Sequence, residues 1–315
     1  MFELYSVIAS YLDPHDFTQL CRVSKHFSQL FRPFLWSVLS NDLRRPWIQG
    51  LKRNGHLLKH VKLYSWENTG CCTLASDDDN LAKTLLEHCG DNLTTLAIKD
   101  DTEEGRIWKA VVDSIGGRTL KGTQTLNGIR VLNISLTFDA FNSDFRRLLA
   151  QPEKCPDIIT AFAGVTELTL CGDAFNDNHI YPPWIQVEPR VDLDKSAAIH
   201  LQNLVRLFPG VHTLSVVELD IDPSEDGLET GGPSESAAVE ARSDYDYYQL
   251  QELDFRHCRI SVKQVIRILE RSRGVRSLSI GHCLMGDANA LLSNLPALAP
   301  DLTRPGSIRC TRGQR

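Results

Sequence analysis

The sequence predicts an α/β protein in two parts, a small helical module over residues 1–40 and a repeat-built solenoid over residues 41–315. Three observations support this prediction. The first 36 residues carry apolar side chains at helical spacing, a six-residue apolar pattern recurs seven times in the remainder, and helix-like segments precede most recurrences. Because strand and helix alternate, we expect one curved parallel sheet with helices on its outer side.

The opening segment, "LYSVIASYLDPHDFTQLCRVSKHFSQLFRPFLW", begins at Leu4 and is rich in aromatic residues. Its first apolar side chains follow the spacing i, i+4, i+7, i+8 of one helical face, and they are Leu4, Ile8, Tyr11 and Leu12. Asp13-Pro14 ends this helix, because proline disfavours helical geometry in the residue before it. A second helix begins at Pro14, and its apolar face would consist of Leu20, Val23, Phe27 and Leu30. The small helices of such a short segment cannot hide this much apolar surface from one another.

This segment resembles an F-box, the helical module that docks on the Skp-type adaptor of a cullin–RING ubiquitin ligase. The residues that match the family pattern are Glu3-Leu4, Ile8, Tyr11-Leu12, Asp16, Leu20, Val23, Lys25, Phe27 and Leu35-Trp36. Phe17 and Ser24 depart from it, and Met1-Phe2 replaces the leading Leu-Pro. The resemblance implies an adaptor-binding set of Phe2, Leu4, Ile8, Leu12, Pro14, Leu20, Val23 and Trp36. The alternative is that these helices only cap the solenoid.

The repeated pattern is apolar-x-x-Leu-x-apolar, and alternation over its last three positions predicts a short strand with one buried face. Its seven copies begin at Leu58, Leu93, Ile129, Val165, Val211, Leu250 and Val275. Successive starts are 35, 36, 36, 46, 39 and 25 residues apart. Only the last interval falls within the ~20–29 residues of a regular leucine-rich repeat. We therefore expect an irregular leucine-rich-repeat solenoid with longer loops or helices between strands.

The last two units, "LQELDFRHCRIS" and "VRSLSIGHCLMG", are the most alike. They place Cys258 and Cys283 where a leucine-rich repeat has Asn or Cys, whose buried side chain bonds to neighbouring backbone. His257 and His282 precede them and raise a zinc hypothesis. Repetition alone puts like residues at like positions, however, and no third ligand is evident. We predict no metal and no cofactor.

Two segments interrupt the repeats. From Glu218 to Asp246 there are ten acidic residues and one basic residue, so we predict a disordered acidic insert at about 220–246. Near the C-terminus a further unit begins at Leu302, but Pro305 falls where leucine is required. Proline is poorly tolerated inside a sheet, so we expect the solenoid to end there.

Composition argues against several classes of function. The net charge is −6, and outside the acidic segment the chain is close to neutral, without the concentrated basic patch that nucleic acid requires. No stretch approaches the ~20 consecutive apolar residues of a membrane span, and no signal peptide is evident. Nine cysteines without a C-x-x-C pair fit a reducing compartment, so we expect a cytoplasmic and/or nuclear protein. No catalytic motif occurs; a weaker hydrolase alternative would use Asp173, His179 or the His257/His282 pair.

An F-box-like module followed by an irregular leucine-rich solenoid is similar to the substrate receptors of SCF-type ubiquitin ligases, a type common in fungi. The resemblance implies a subunit without catalytic residues whose solenoid binds an unknown protein target. In such a solenoid the target contacts strand side chains that alternate with the buried ones. Here these would include Lys62, Tyr64, Lys99, Asn133, Glu167, Glu252, Asp254 and Arg256. The main alternative is a stand-alone leucine-rich scaffold or inhibitor.

Overall fold

A computed structural model gives the fold of the chain. It describes residues 7–8, 11–12, 14–40, 47–65, 84–89, 92–100, 105–119, 128–136, 145, 148, 155–172, 198–199, 201–221, 249–258, 260–272, 274–284 and 288–311. Within these residues the protein is α/β, and nine strands form one sheet.

All strand pairs in the described residues are parallel. In chain order the strands are β1 (Val38–Ser40), β2 (His60–Ser65), β3 (Thr95–Asp100), β4 (Val131–Leu136), β5 (Glu167–Cys171), β6 (Ala198–Ile199), β7 (Thr213–Val217), β8 (Asp220–Ile221), β9 (Glu252–Arg256), β10 (Ser277–Leu284) and β11 (Arg304–Thr311). The main sheet has the order β1-β2-β3-β4-β5-β7-β9-β10-β11, and β6 pairs with β8 separately. Each main-sheet strand therefore lies beside the next one along the chain, as in a solenoid.

Two helices precede the first strand, and further helices connect many of the strands. They are α1 (Pro14–Val23), α2 (Lys25–Leu35), α3 (Trp47–Asn54), α4 (Arg106–Thr119), α5 (Pro156–Ala161), α6 (Leu201–Leu207), α7 (Val262–Arg271) and α8 (Ala288–Leu298). A 3₁₀ turn, Gly55–Leu57, follows α3. Where the chain is described, no helix combines the length and apolar character that crossing a membrane would take.

The repeat pattern predicts the sheet correctly. The first residue of every unit is buried, and the strand begins two residues later in each case. The leucine position of one unit lies in register with that of the next, as Leu96 does with Leu132 and Leu168 with Leu214. These aligned rows of apolar side chains form one face of the sheet, so the α/β fold with a parallel sheet is confirmed.

The helices cover that apolar face. Buried side chains from the helices join the same core as the strands, among them Trp108, Val111, Ile158, Leu204, Val265 and Leu291. The alternate strand side chains point the other way and are half-buried or exposed, as the burial pattern of β3, β4 and β9 shows. We call this second surface of the main sheet the open face.

The two outermost strands lie where no strand was predicted. β1 lies within residues 1–40, predicted as a helical module, and it pairs with β2 in the sheet. Pro305 was expected to prevent a strand in the unit that begins at Leu302, yet it lies in β11 opposite Leu278. In the described residues β11 pairs only with β10, and the register shifts directly after this pair. Proline is tolerated on an edge strand and beside a bulge, where fewer ladder hydrogen bonds depend on it.

Two further predictions need correction. The second helix of the module does not run on to Leu30 but stops at Val23, since Ser24 adopts extended backbone at φ −159° and ψ 163°. The Ser24 hydroxyl accepts a hydrogen bond from the Phe27 N–H at 3.1 Å and so caps α2. The predicted acidic insert begins with β8 rather than with irregular chain, and residues 222–248 lie outside the described residues.

Candidate protein-docking surfaces

The helical module has an aromatic core of its own. Phe17 and Phe31 are buried, with ring centroids 6.1 Å apart, and Phe34 stacks on Phe17 at 6.2 Å. Phe27 stacks on Phe31 at 5.9 Å. None of these rings belongs to the main core, whose buried residues begin at Leu51. The module is therefore a separate small packing unit joined to the sheet.

Large apolar side chains are exposed on this module. The exposed fraction is 56% for Val7, 40% for Ile8, 84% for Tyr11 and 68% for Val23. We call these four side chains the module's apolar surface. Single exposed apolar residues are ordinary, but four within 17 residues are a marked concentration of exposed apolar side chains.

The predicted adaptor-binding residues differ in their exposure. Ile8 and Val23 are exposed, whereas Leu12 and Leu20, which are close to them in sequence, are half-buried. Phe2 and Leu4 lie outside the described residues, and Pro14 is described only as the first residue of α1.

Trp36 occupies a different environment. It packs against the main core, and its indole lies so close to Gly50 that a Cβ at that glycine would be 2.5 Å from the ring. Trp36 therefore joins the module to α3 and the sheet. This position favours a supporting role over direct contact with a partner.

Val7 and Tyr11 are exposed residues that were not among the predicted adaptor contacts. Tyr11 matches the helical stripe, whereas Val7 lies off it. A stripe in the sequence identifies apolar residues that share a face, but it does not tell whether that face is covered by the same chain.

The open face carries the predicted target-binding residues. Its middle row runs in register across seven strands, through Lys62, Ala97, Asn133, Thr169, Ser215, Asp254 and Ser279. Among the predicted residues, Lys62, Glu167, Glu252 and Arg256 are exposed, and Lys99, Asn133 and Asp254 are half-buried. For Tyr64 the structure describes only the backbone, which belongs to β2.

Side-chain contacts order both ends of the open face. On β2 and β3, His60 Nδ1 and the Thr95 hydroxyl are 3.0 Å apart. On β7 and β9, Asp254 accepts a hydrogen bond from the Ser215 hydroxyl at 3.3 Å and forms a 2.6 Å ion pair with Arg256. Of the charged groups of the surface, Asp254 and Arg256 are thus held by their neighbours.

The cysteines of the last units have the predicted structural role. The Cys258 thiol donates to the Val216 carbonyl at 3.3 Å, and the Cys283 thiol donates to the Phe255 carbonyl at 3.4 Å. Each bond reaches the preceding strand, so the pair ties β7, β9 and β10 together. The hydrogen bond with Cys283, together with burial, raises the pKa of the Cys258 thiol well above its ordinary value. Such a thiol is a poor nucleophile.

The alternative chemical sites receive no support from the described geometry. His257 is exposed beyond β9 in the left-handed region, at φ 54°. Asp173 and His179 lie outside the described residues, as does the side chain of His282. Across the portion of the chain that is described, no three His, Cys, Asp or Glu side chains are grouped so as to hold a metal ion.

Comparison with known proteins does not assign the chain to a family. No protein-family model matches it, and no curated protein is significantly similar in sequence.

Proposed function

We propose that this chain is a substrate receptor of an SCF-type ubiquitin ligase, acting in the cytoplasm or nucleus without catalytic residues of its own. The helical module would dock on a Skp-type adaptor, and the open face of a leucine-rich solenoid would bind the target protein. The observation that carries the proposal is the apolar surface of a module whose aromatic core is separate from the main core. The resemblance of residues 1–36 to an F-box supplies the identity of the partner.

Burial of the exposed apolar side chains would favour such docking. Burying a large apolar side chain fully stabilises a complex by about 1.5–3 kcal/mol, and these four are already partly covered. A submicromolar complex requires a binding free energy of about −8 kcal/mol. The four side chains would provide a substantial part of this, and the half-buried Leu12 and Leu20 would extend the interface.

In this arrangement the receptor works by proximity. Docking through the module leaves the open face of β2 to β10 accessible for a target, because the two surfaces belong to different packing units. A ubiquitin-conjugating enzyme held by the same ligase then meets lysines of the bound target at high effective concentration. No acid, base or nucleophile is required from the receptor.

The proposal is tested by titrating a purified Skp-type adaptor into the full chain by calorimetry. We expect submicromolar binding by the unaltered chain and at least tenfold weaker binding by the Tyr11→Lys/Val23→Lys variant, a loss of about 1.4 kcal/mol or more. Lysine suits this test, because both positions are largely exposed and a cation is favourable at the C-terminal end of α1.

Leu292→Lys is the matched control, since Leu292 is a 49% exposed apolar residue on α8 of the solenoid. It should bind the adaptor as the unaltered chain does. Equal affinity of all three proteins, or no binding by the unaltered chain, would contradict the proposal.

A stand-alone leucine-rich scaffold is the second candidate, and one observation favours it. Helix α2 leads directly into β1, which extends the sheet beyond β2, and Trp36 packs on α3. The module would then only cap the first repeat. This candidate predicts no adaptor binding, and it predicts that Tyr11→Lys/Val23→Lys leaves every interaction of the chain unchanged.

A further inference from the structure

The open face carries opposite charge at the two ends of the stretch from β2 to β9. On its described positions, β2 and β3 contribute the basic residues Lys62 and Lys99 and no acidic residue. On β5 and β9 the same face presents Glu167, Glu252 and Asp254. Arg256 is the one basic residue on the described open-face positions of β5, β7 and β9, and its ion pair with Asp254 offsets its charge.

One strand without charged open-face residues, β4, separates Lys99 of β3 from Glu167 on β5. Its open-face residues are Val131, Asn133 and Ser135. The middle row continues on the neighbouring strands through the small residues Ala97, Thr169 and Ser215, whose short side chains let the backbone of a partner approach the sheet closely.

The separation of the charges sets a length scale. Six neighbouring strands, β2, β3, β4, β5, β7 and β9, lead from Lys62 to Glu252. At about 4.8 Å per strand step, the two ends are about 24 Å apart. This distance corresponds to about 16 residues of α-helix or about 7 residues of extended chain.

We propose that the open face binds a protein segment with segregated charge, lying across the strands with its acidic end over Lys62 and Lys99 and its basic end over Glu167 and Glu252. The inference rests on the proposed function, because this segment would belong to the target of the ligase. Complementary charge fixes the direction of the bound segment and speeds association. A uniformly anionic partner would be repelled by the β5–β9 end.

Two synthetic peptides of about 16 residues, a length that spans the face as a helix, test the proposal. Both contain the same number of glutamates, lysines, alanines and glutamines. In the segregated peptide the glutamates occupy the N-terminal third and the lysines the C-terminal third, whereas in the mixed peptide the charges alternate. Affinity for the full chain is measured by fluorescence anisotropy at low salt.

We expect the segregated peptide to bind at least about tenfold more tightly than the mixed peptide, with an advantage that shrinks as salt rises to ~1 M. Lys62→Glu/Lys99→Glu should remove this advantage and should favour a third peptide with lysines at both ends. Lys109→Glu/Lys263→Glu is the matched control, because both lysines are exposed on helices α4 and α7. It should behave as the unaltered chain does.

Equal affinity for the segregated and mixed peptides, absence of binding by both, or insensitivity to Lys62→Glu/Lys99→Glu would overturn the inference. The same variants are titrated with the Skp-type adaptor. If the adaptor binds as expected but the peptides show no preference, only the proposed binding of a charge-segregated segment fails. Loss of adaptor binding by the unaltered chain means that the proposed function itself fails.

Discussion

At the scale of single residues, Asp100 shows how a buried polar group can organise an element. It lies at the end of β3 on the covered side of the sheet and is fully buried. Its carboxylate accepts hydrogen bonds from the backbone N–H groups of Ile107 at 2.6 Å and Trp108 at 3.2 Å. These groups belong to the first turn of α4, where the helix leaves N–H groups without intrahelical partners. Alternation alone predicts an apolar residue here, as in its register partner Leu136.

Removing this carboxylate should destabilise the fold. We expect Asp100→Ala to lower the free energy of unfolding by about 2–4 kcal/mol, because buried N–H groups lose a charged acceptor. Asp113→Ala, at an exposed position of α4, should change it by less than about 0.5 kcal/mol. Urea unfolding followed by circular dichroism measures both. Similar small effects for the two variants would contradict the role given to Asp100.

The Cys258 thiol should be chemically inert in the folded chain. Its raised pKa leaves little thiolate at pH 8, and burial blocks access. We expect iodoacetamide to label Cys258 at least about 100-fold more slowly in the native than in the urea-unfolded chain. Peptide mass spectrometry follows the reaction, with the half-buried Cys155 as internal reference. Native labelling of Cys258 as fast as that of Cys155 would show that the thiol is not held as described.

At the scale of elements, the predictable part of the fold is the part in which local pattern and tertiary packing agree. Seven strands were predictable because each follows, by two residues, a buried apolar residue and has alternating side chains, from the unit at Leu58 onward. β1 was not, because a three-residue strand carries no pattern and exists through pairing with β2. β11 was missed because Pro305 is read as a breaker unless the edge position is known. The break at Ser24 depends on a cap that competes with a continuous helix.

Close approach between neighbouring units provides a test of this packing. Gly172 directly follows β5, and a Cβ there would lie 2.5 Å from the Glu218 carbonyl oxygen and against Leu219. We expect Gly172→Ala to lower the free energy of unfolding by about 1–3 kcal/mol, because neighbouring backbone must move.

Gly281, within β10, is the matched control. A Cβ there would meet only ordinary contacts, the nearest being Arg256 Cγ at 3.7 Å, so Gly281→Ala should be nearly neutral. Equal destabilisation by the two substitutions in chemical denaturation would argue against the described approach of β5 to the segment after β7.

At the scale of the whole molecule, the chain combines two packing units that present different surfaces. The module presents large apolar side chains, whereas the sheet presents polar and charged ones on its open face. The sequence located the open-face residues and, in the module, Ile8, Tyr11 and Val23, since strand alternation and a helical stripe are visible without coordinates, but it did not locate Val7, which lies off the stripe. It did not distinguish Trp36, which joins the units, from Val23, which is exposed, because both are apolar residues of one motif. The exposure of a side chain depends on how the folded chain packs around it.

The central claim, that the module docks an adaptor and leaves the open face accessible, is tested most directly by amide hydrogen exchange of the full chain with and without a Skp-type adaptor. We predict that a saturating adaptor slows exchange at least about tenfold in α1 and α2 and leaves β2 to β10 unchanged. Protection of the strands of the open face, or unchanged exchange in α1 and α2 at a concentration that saturates binding, would contradict the account.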